Sequence, residues 1–199
     1  MMEQTKLVEE RNTDFDHLRD VRTFDKYRND VIQWTREEVE SAKKFIETCK
    51  INMIPAFIWQ DTSCESSAIG DFHYDAKKVH TAPDYRIGLF NNCRYLEVKH
   101  TPKNVSRIMV KKYDVDKYLQ HRHVLILHII NHGTSSEQFT ILTPEEIVKW
   151  PCEKNDKFGG KELYVNPIKN FPYFRFKNPN NELKDYLHNK TFQKTGGAL

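Results

Sequence analysis

Two acidic residues and a lysine in the middle of the chain have the types and the spacing of a cation-binding site. Twelve residues separate Asp84 from the triplet Glu97-Val98-Lys99. Mg²⁺ prefers oxygen ligands, and one or two carboxylates together with a substrate phosphate are enough to hold it. Such an ion stabilises charge on a phosphoryl group and lowers the pKa of a bound water. Lys99 would share the face of Glu97 on a strand and could orient the attacking group or the phosphate.

The alternation of apolar and polar residues around this site predicts a β-hairpin that would position it. Strands are expected over 85–90 and 93–100, with Asn91-Asn92 as the turn because Asn tolerates positive φ. In this register Asp84 lies opposite Lys99, and Glu97 is its diagonal neighbour at roughly 7–8 Å between backbones. The face that carries the site would hold Asp84, Arg86, Tyr95, Glu97 and Lys99, whereas the other would hold Tyr85, Ile87, Leu89, Leu96 and Val98.

The same residues are also consistent with an ordinary solvated face of a sheet. Asp84 with Lys99, and Arg86 with Glu97, would then form cross-strand ion pairs, each contributing roughly 0.2–1 kcal/mol. Arg86 bears directly on this choice, because a guanidinium that neutralises Glu97 would remove a metal ligand. The alternation by itself leaves both interpretations open.

The remaining segments predict an α/β arrangement around the hairpin. Thr35 and Glu38 have the spacing of a capping box and predict the start of a helix, with a less regular helix around 14–34 before it. Thr143, followed by Pro144 and Glu146, predicts the start of another helix. Strands are expected over 51–59, 106–112, 124–130 and 138–142, with further helices over 114–120 and 182–188.

Composition limits the class of protein. The chain has 199 residues and a formal net charge of +3, with 31 Lys and Arg against 28 Asp and Glu. No apolar run is long enough to cross a bilayer, the N-terminus has no apolar signal segment, and the four cysteines form no C-x-x-C pair. We therefore expect no membrane partner and a cytoplasmic location. We divide the chain into a helical extension over 1–35, a core over 36–150 and a C-terminal extension over 151–199.

The motif Pro83-Asp84 followed by Glu97-Val98-Lys99 resembles the signature of the PD-(D/E)xK nuclease superfamily, which has the restriction-endonuclease-like fold. The order of elements around it is similar to the layout of archaeal Holliday-junction resolvases. The resemblance covers about residues 36–131. It implies an α/β fold whose restriction-endonuclease-like core is a central mixed β-sheet flanked by helices, and it leaves the last part of the chain unexplained.

The resemblance implies a Mg²⁺-dependent endonuclease of restriction, homing or junction type that hydrolyses phosphodiester bonds in DNA, with Mn²⁺ able to substitute. Asp84 and Glu97 would bind the metal together with the backbone carbonyl of Val98, and Lys99 would assist the attacking water. An acid from the first helix completes the site in many members; Glu40 and Glu47 are the candidates here, both remain open, and Glu47, which is closer to the strand, is taken as the metal ligand. Further candidates for that acid are Glu65, Asp71 and Asp75.

Nucleic acid, in the first place DNA, is the expected partner of the cations that follow the triplet. Contacts to phosphates give affinity without sequence readout. A homodimer is expected if both strands of a duplex are cut. Two other functions remain open, a non-catalytic nucleic-acid-binding module on the same fold and an RNA-directed endonuclease. The cations expected to bind nucleic acid are Lys103, Arg107, Lys111 and Lys112.

Overall fold

A computed structural model describes residues 24–61, 83–101, 105–156 and 159–192 of the chain. These residues form a mixed α/β structure with a six-stranded sheet, a three-stranded antiparallel sheet and four α-helices. The helices are α1 (Phe24–Ile51), α2 (Lys112–Tyr118), α3 (Pro144–Ile147) and α4 (Asn181–Phe192). The strands are β1 (Ala56–Asp61), β2 (Tyr85–Leu89), β3 (Asn92–Thr101), β4 (Arg107–Lys111), β5 (Val124–Ile130), β6 (Gln138–Leu142), β7 (Cys152–Asn155), β8 (Lys161–Pro167) and β9 (Phe174–Arg175).

The large sheet has the strand order β1-β2-β3-β5-β6-β9, and the small sheet has the order β4-β8-β7. Neighbouring strands of the large sheet are antiparallel except β3 and β5, which run parallel. A parallel pair needs a crossover connection, and the chain makes it through β4 and α2. This crossover brings α2 back against the sheet beside β3.

Both faces of the large sheet are covered by apolar side chains. Between α1, α4 and the sheet lies one core, to which Phe45, Leu127 and Leu183 belong. On the opposite face α2, α3 and the small sheet enclose a second core, which includes Ile126 and Ile147. Every residue of β5 is buried, as expected for a strand covered on both faces.

Helix α1 differs most from the sequence-based expectation. It runs without a break from Phe24 through Thr35 to Ile51, so the helix start predicted at Thr35 is wrong. A capping side chain is worth only about 1 kcal/mol, which is outweighed when the backbone hydrogen bonds continue on both sides. At the other end Met53 has a φ of 54° and ends the helical stretch, so the next strand begins at Ala56 rather than at Ile51.

Several other elements agree with the prediction. The strands over 124–130 and 138–142 are confirmed, and so is the capping box of α3, in which Thr143 and Glu146 bond each other's backbone N–H groups. Helix α4 is longer than expected. Residues after 150 contribute to both sheets, since β8 pairs with β4 and β9 pairs with β6. None of the helices in the described ranges is long and apolar enough to cross a membrane.

Candidate active site

The β2–β3 hairpin has a different register from the predicted one. Leu89 pairs with Asn92, so the two turn residues are Phe90 and Asn91, with φ values of 50° and 62°. The turn predicted at Asn91-Asn92 is therefore wrong. Continuing the observed register by one step beyond Tyr85 places Asp84 opposite Glu97 instead of opposite Lys99. Cross-strand partners have Cβ atoms about 4.5–5.5 Å apart, so the two carboxyl groups are closer than the sequence indicated.

Arg86 does not neutralise Glu97, because the changed register gives the guanidinium another partner. Arg86 lies opposite Tyr95, donates a hydrogen bond of 2.8 Å to its hydroxyl and sits 5.3 Å from its ring centre. The predicted ion pairs of Asp84 with Lys99 and of Arg86 with Glu97 are both replaced. The ammonium group of Lys99 instead lies 2.5 Å from Oε1 of Glu97 on its own strand.

Asp84 lies just before β2 and is held by the backbone of β3. Its Oδ2 accepts a hydrogen bond of 2.8 Å from the N–H of Val98. Burial raises the pKa of the Asp84 carboxyl well above its usual value, and the negative charges of Glu97 and Glu38 raise it further. Lys99 and the Val98 N–H oppose this effect without reversing it. Asp84 is thus an acidic group in a site that disfavours its charge.

Glu97 is the most enclosed acid of the site, with 5% of its surface exposed. Its Oε1 accepts a hydrogen bond of 2.5 Å from the hydroxyl of Tyr118 and forms an ion pair of 2.5 Å with Lys99. Burial opposes the charge of Lys99, but the attraction of Glu97 and of nearby Tyr118 and Asp114 outweighs it, so the pKa of Lys99 is raised well above its usual value. Lys99 therefore keeps its proton.

Tyr118 is a site residue that the sequence analysis missed. It is buried at the C-terminal end of α2, and burial together with Glu97 raises the pKa of its hydroxyl. The crossover from β3 to β5 carries it to Glu97, and only the tertiary arrangement reveals this contact. The sequence does place Tyr118 four residues after Asp114 on a helix that follows the triplet. This spacing puts the two residues on one helix face and was the one feature that could have indicated Tyr118.

The acid of α1 that approaches Asp84 is Glu38, and the structure does not bring Glu47 to the site. Glu47 is half-exposed and forms an ion pair of 2.9 Å with Lys177. It lies nine residues beyond Glu38, which corresponds to about 13 Å along a helix. Glu40 is exposed and pairs with Lys44 at 3.0 Å. Three other candidates from the sequence, Glu65, Asp71 and Asp75, lie outside the described residues.

Acidic side chains are in excess at this site. Asp84, Glu97 and Glu38 lie near the one ammonium group of Lys99, so acidic groups outnumber basic ones here. Oδ2 of Asp84 and Oε1 of Glu97 are engaged, whereas the second oxygen of each carboxyl group has no hydrogen bond or ion pair with another residue of the described ranges.

The backbone adds a third oxygen on the same side. The N–H and C=O of a strand residue point the same way, so the carbonyl of Val98 is directed toward Asp84, like its N–H. Within the described ranges, no cluster of three or more His, Cys, Asp or Glu side chains is arranged to hold a metal. The candidate set is therefore the carboxyl groups of Asp84 and Glu97 and the carbonyl of Val98, with Glu38 nearby.

The cations predicted to bind nucleic acid are in different environments. Arg107 forms an ion pair of 3.3 Å with Glu153, and Lys112 forms one of 3.0 Å with Glu162. Lys111 lies at the junction of β4 and α2 without an ion pair inside the described ranges. Lys103 is outside the described residues.

A second polar cluster lies toward α1, next to the site. The imidazole of His100 is 3.0 Å from the hydroxyl of Ser41 and stacks on the ring of His132 at 4.2 Å. His132 in turn bonds Glu137 at 2.6 Å. Burial and the neighbouring His132 lower the pKa of His100 to about 4. These groups satisfy one another and tie α1 to the end of the sheet.

Comparison of the chain with protein-family models, curated proteins and solved structures finds no match.

Proposed function

We propose that this chain is a metal-dependent endonuclease that hydrolyses phosphodiester bonds in DNA, on a restriction-endonuclease-like core. The observation that carries the proposal is the convergence of Asp84, Glu97 and Lys99 at one end of β3, where acidic groups outnumber basic ones. A structural ion pair would need one acid and one base. A buried excess of acids is instead costly unless a cation compensates it or one acid, held neutral by a raised pKa, keeps its proton.

The order of the elements also supports the proposal. Helix α1 and strand β1 precede the hairpin, and β4 and α2 then lead to β5, which runs parallel to β3. This is the layout that the resemblance implies. The acid on α1 agrees as well, although it is Glu38 and not the expected Glu47.

Each side chain of the site has a distinct task in the proposed reaction. A bound Mg²⁺ would supply a Lewis acid and a water of lowered pKa. The N–H of Val98 holds Oδ2 of Asp84, and the other oxygen of this carboxyl group would bind the metal. Tyr118 and Lys99 fix Glu97 from two sides, which positions its remaining oxygen. The ammonium group of Lys99, held 2.5 Å from Glu97, would orient the attacking water or the phosphate.

A cleavage assay with matched variants tests the proposal. Supercoiled plasmid, linear duplex, branched DNA and single-stranded RNA are incubated with the protein in Mg²⁺, in Mn²⁺ and in EDTA. We expect DNA cleavage that requires metal and is lost in Asp84→Asn and in Lys99→Gln. The exposed Asp185→Asn on α4 is the matched control and should cleave like the wild type.

The outcomes separate the proposal from its competitors. Thermal unfolding of every variant first establishes that it is folded. Cleavage of RNA alone would contradict the DNA assignment and favour an RNA-directed endonuclease. DNA binding without cleavage in any metal would favour a non-catalytic binding module. Equal cleavage by wild type and Lys99→Gln would remove Lys99 from the reaction.

A further inference from the structure

Two lysines from distant parts of the chain lie on the same face of the small sheet. Lys111 of β4 pairs with Leu163 of β8, and Lys161 lies two residues before Leu163. Side chains two positions apart on a strand share a face, so Lys111 and Lys161 are diagonal neighbours, roughly 7–8 Å apart at the backbone. Lys112 points the other way and is bonded to Glu162. The register of β4 and β8 thus creates a lysine pair.

This lysine pair lies next to the candidate active site. Lys111 immediately precedes α2, and Tyr118 at the end of α2 donates its hydrogen bond to Glu97. The seven residues of α2 extend over about 10 Å, which is therefore the approximate distance between the backbones of Lys111 and Tyr118. Along a duplex, this distance is on the order of three base-pair steps of 3.4 Å. Asp114, one turn before Tyr118, raises the pKa of both Lys99 and Lys161, which puts this acid within reach of both.

The charge of the lysine pair is not compensated by an ion pair. Two neighbouring cations are paired, Arg107 of β4 with Glu153 and Lys112 at the start of α2 with Glu162. Lys111 and Lys161 form no ion pair within the described ranges. Burial lowers the pKa of Lys161 and the positive charge of Lys111 lowers it further, while Asp114 acts in the opposite direction. Two adjacent ammonium groups with an excess of positive charge attract an anion.

We propose that Lys111 and Lys161 form a subsite for a backbone phosphate of the nucleic acid, within about three nucleotides of the phosphate that is cleaved. This inference rests on the proposed function for the position of the scissile phosphate. The ammonium groups act as donors to the non-bridging oxygens, so the subsite contributes affinity and register but no sequence readout. Lys161 follows Lys111 by fifty residues, and only the β4–β8 pairing connects them.

Binding measured without cleavage tests the subsite. A short fluorescently labelled DNA duplex is titrated in EDTA with the wild type and with the double variant Lys111→Gln, Lys161→Gln. Each lost phosphate contact lowers the slope of log affinity against log salt by about one. Between about 50 and about 200 mM salt, the wild type should therefore lose roughly fourfold more affinity than the double variant. The exposed Lys184→Gln on α4 is the matched control and should behave like the wild type.

A chemical scan then locates the contact. Single phosphates of the duplex are replaced one at a time by neutral methylphosphonates. We expect one or two positions, within about three steps of the cleavage point, to weaken binding by the wild type. The same positions should have no effect on the double variant, because the partner charges are already gone. In saturating DNA the double variant should keep its cleavage rate while its KM rises.

The outcomes of this experiment distinguish the subsite from the proposed function. An unchanged salt slope in the double variant, or a methylphosphonate effect that persists in it, overturns the subsite even when the protein cleaves DNA. Binding that depends on the two lysines in a protein that never cleaves supports the phosphate subsite and contradicts the endonuclease. Absence of DNA binding by the wild type overturns the subsite.

Discussion

Replacing Asp84 by Asn should stabilise the metal-free protein and at the same time remove its response to metal. The Asn side chain keeps an oxygen that can accept the hydrogen bond from the N–H of Val98. It removes a charge that burial and the nearby Glu97 and Glu38 disfavour, as the raised pKa of Asp84 indicates. A group that binds a ligand at the cost of stability is expected at a functional site.

The size of the effect follows from the distance between the facing carboxylates. Unit charges about 5.5 Å apart repel by about 3 kcal/mol at an effective dielectric constant of about 20. The attraction between Asp84 and Lys99 cancels part of this repulsion. We therefore expect the free energy of unfolding to rise by about 1–3 kcal/mol, which corresponds to about 2–12 °C in Tm for a chain of this size.

Thermal unfolding in EDTA measures this gain, with Asp185→Asn as the control for loss of one surface carboxylate. The pH dependence gives a second check. The folded-state pKa of Asp84 is raised above the unfolded value of about 3.9. On acidification the folded protein therefore takes up this proton at a higher pH than the unfolded chain does. The destabilisation by Asp84 is present at neutral pH and is lost on acidification. The advantage of Asp84→Asn should therefore shrink as the pH approaches 4.

Metal addition completes the experiment. Mn²⁺ at about a hundred times its dissociation constant should stabilise the wild type by about 2.7 kcal/mol, and Asp84→Asn should lose most of that gain. The reasoning is refuted if Asp84→Asn is less stable than the wild type in EDTA while still folded. It is equally refuted if Mn²⁺ raises the Tm of both proteins by the same amount.

Three further substitutions test other parts of the structure by thermal or chemical unfolding. Tyr118→Phe removes a hydrogen bond to the buried Glu97 and should cost about 1.5–3 kcal/mol; an unchanged free energy of unfolding would contradict that contact. Burial lowers the pKa of His128 to about 3. As the pH falls, this imidazole is therefore protonated in the unfolded chain at a higher pH than in the folded protein. Stability of the wild type should fall below about pH 6.5 by up to about 1.4 kcal/mol per pH unit, and His128→Asn should flatten this slope; equal slopes would be evidence against a neutral buried imidazole. In Gly88→Ala the new Cβ would lie 2.3 Å from the ring of Phe57, whose half-exposed end can turn away at a cost of roughly 0.5–1.5 kcal/mol. The cost should disappear in a Phe57→Ala background, and its persistence there would mean that the backbone of β2 is strained instead.

The local sequence determines the strands of the β2–β3 hairpin but not the position of its turn. Alternation correctly separates the residues into two faces, and both strands form close to where they were predicted. The turn is displaced because Phe90 packs its ring against His188 and Phe192 of α4, at 5.6 and 6.1 Å between ring centres. These contacts, together with the hydrogen bond from the Phe90 N–H to Pro55, hold Phe90 in a left-handed conformation that its type disfavours. Local turn preferences contain no information about α4.

The residues that contact or approach Asp84 and Glu97 are likewise determined by tertiary packing and not by the local sequence. Glu38, Glu40 and Glu47 are equivalent as acids in a helical segment, and only the packing of α1 on the sheet directs Glu38 toward Asp84. Tyr118 reaches Glu97 because the crossover folds α2 back against the sheet. In each case a long-range contact decides among residues that are alike in type.

The sequence by itself determined which reactive groups are present, namely two carboxylates and a lysine at spacings that a β-hairpin places on one face. It could do so because side-chain type and the two-residue period of a strand are local properties. The tertiary structure decided which of these groups face each other, which helix acid and which tyrosine join them, and that Lys161 lies beside Lys111. Those relations depend on strand register and on the packing of α1, α2 and α4, and the energies that set them come from residues far apart in the chain.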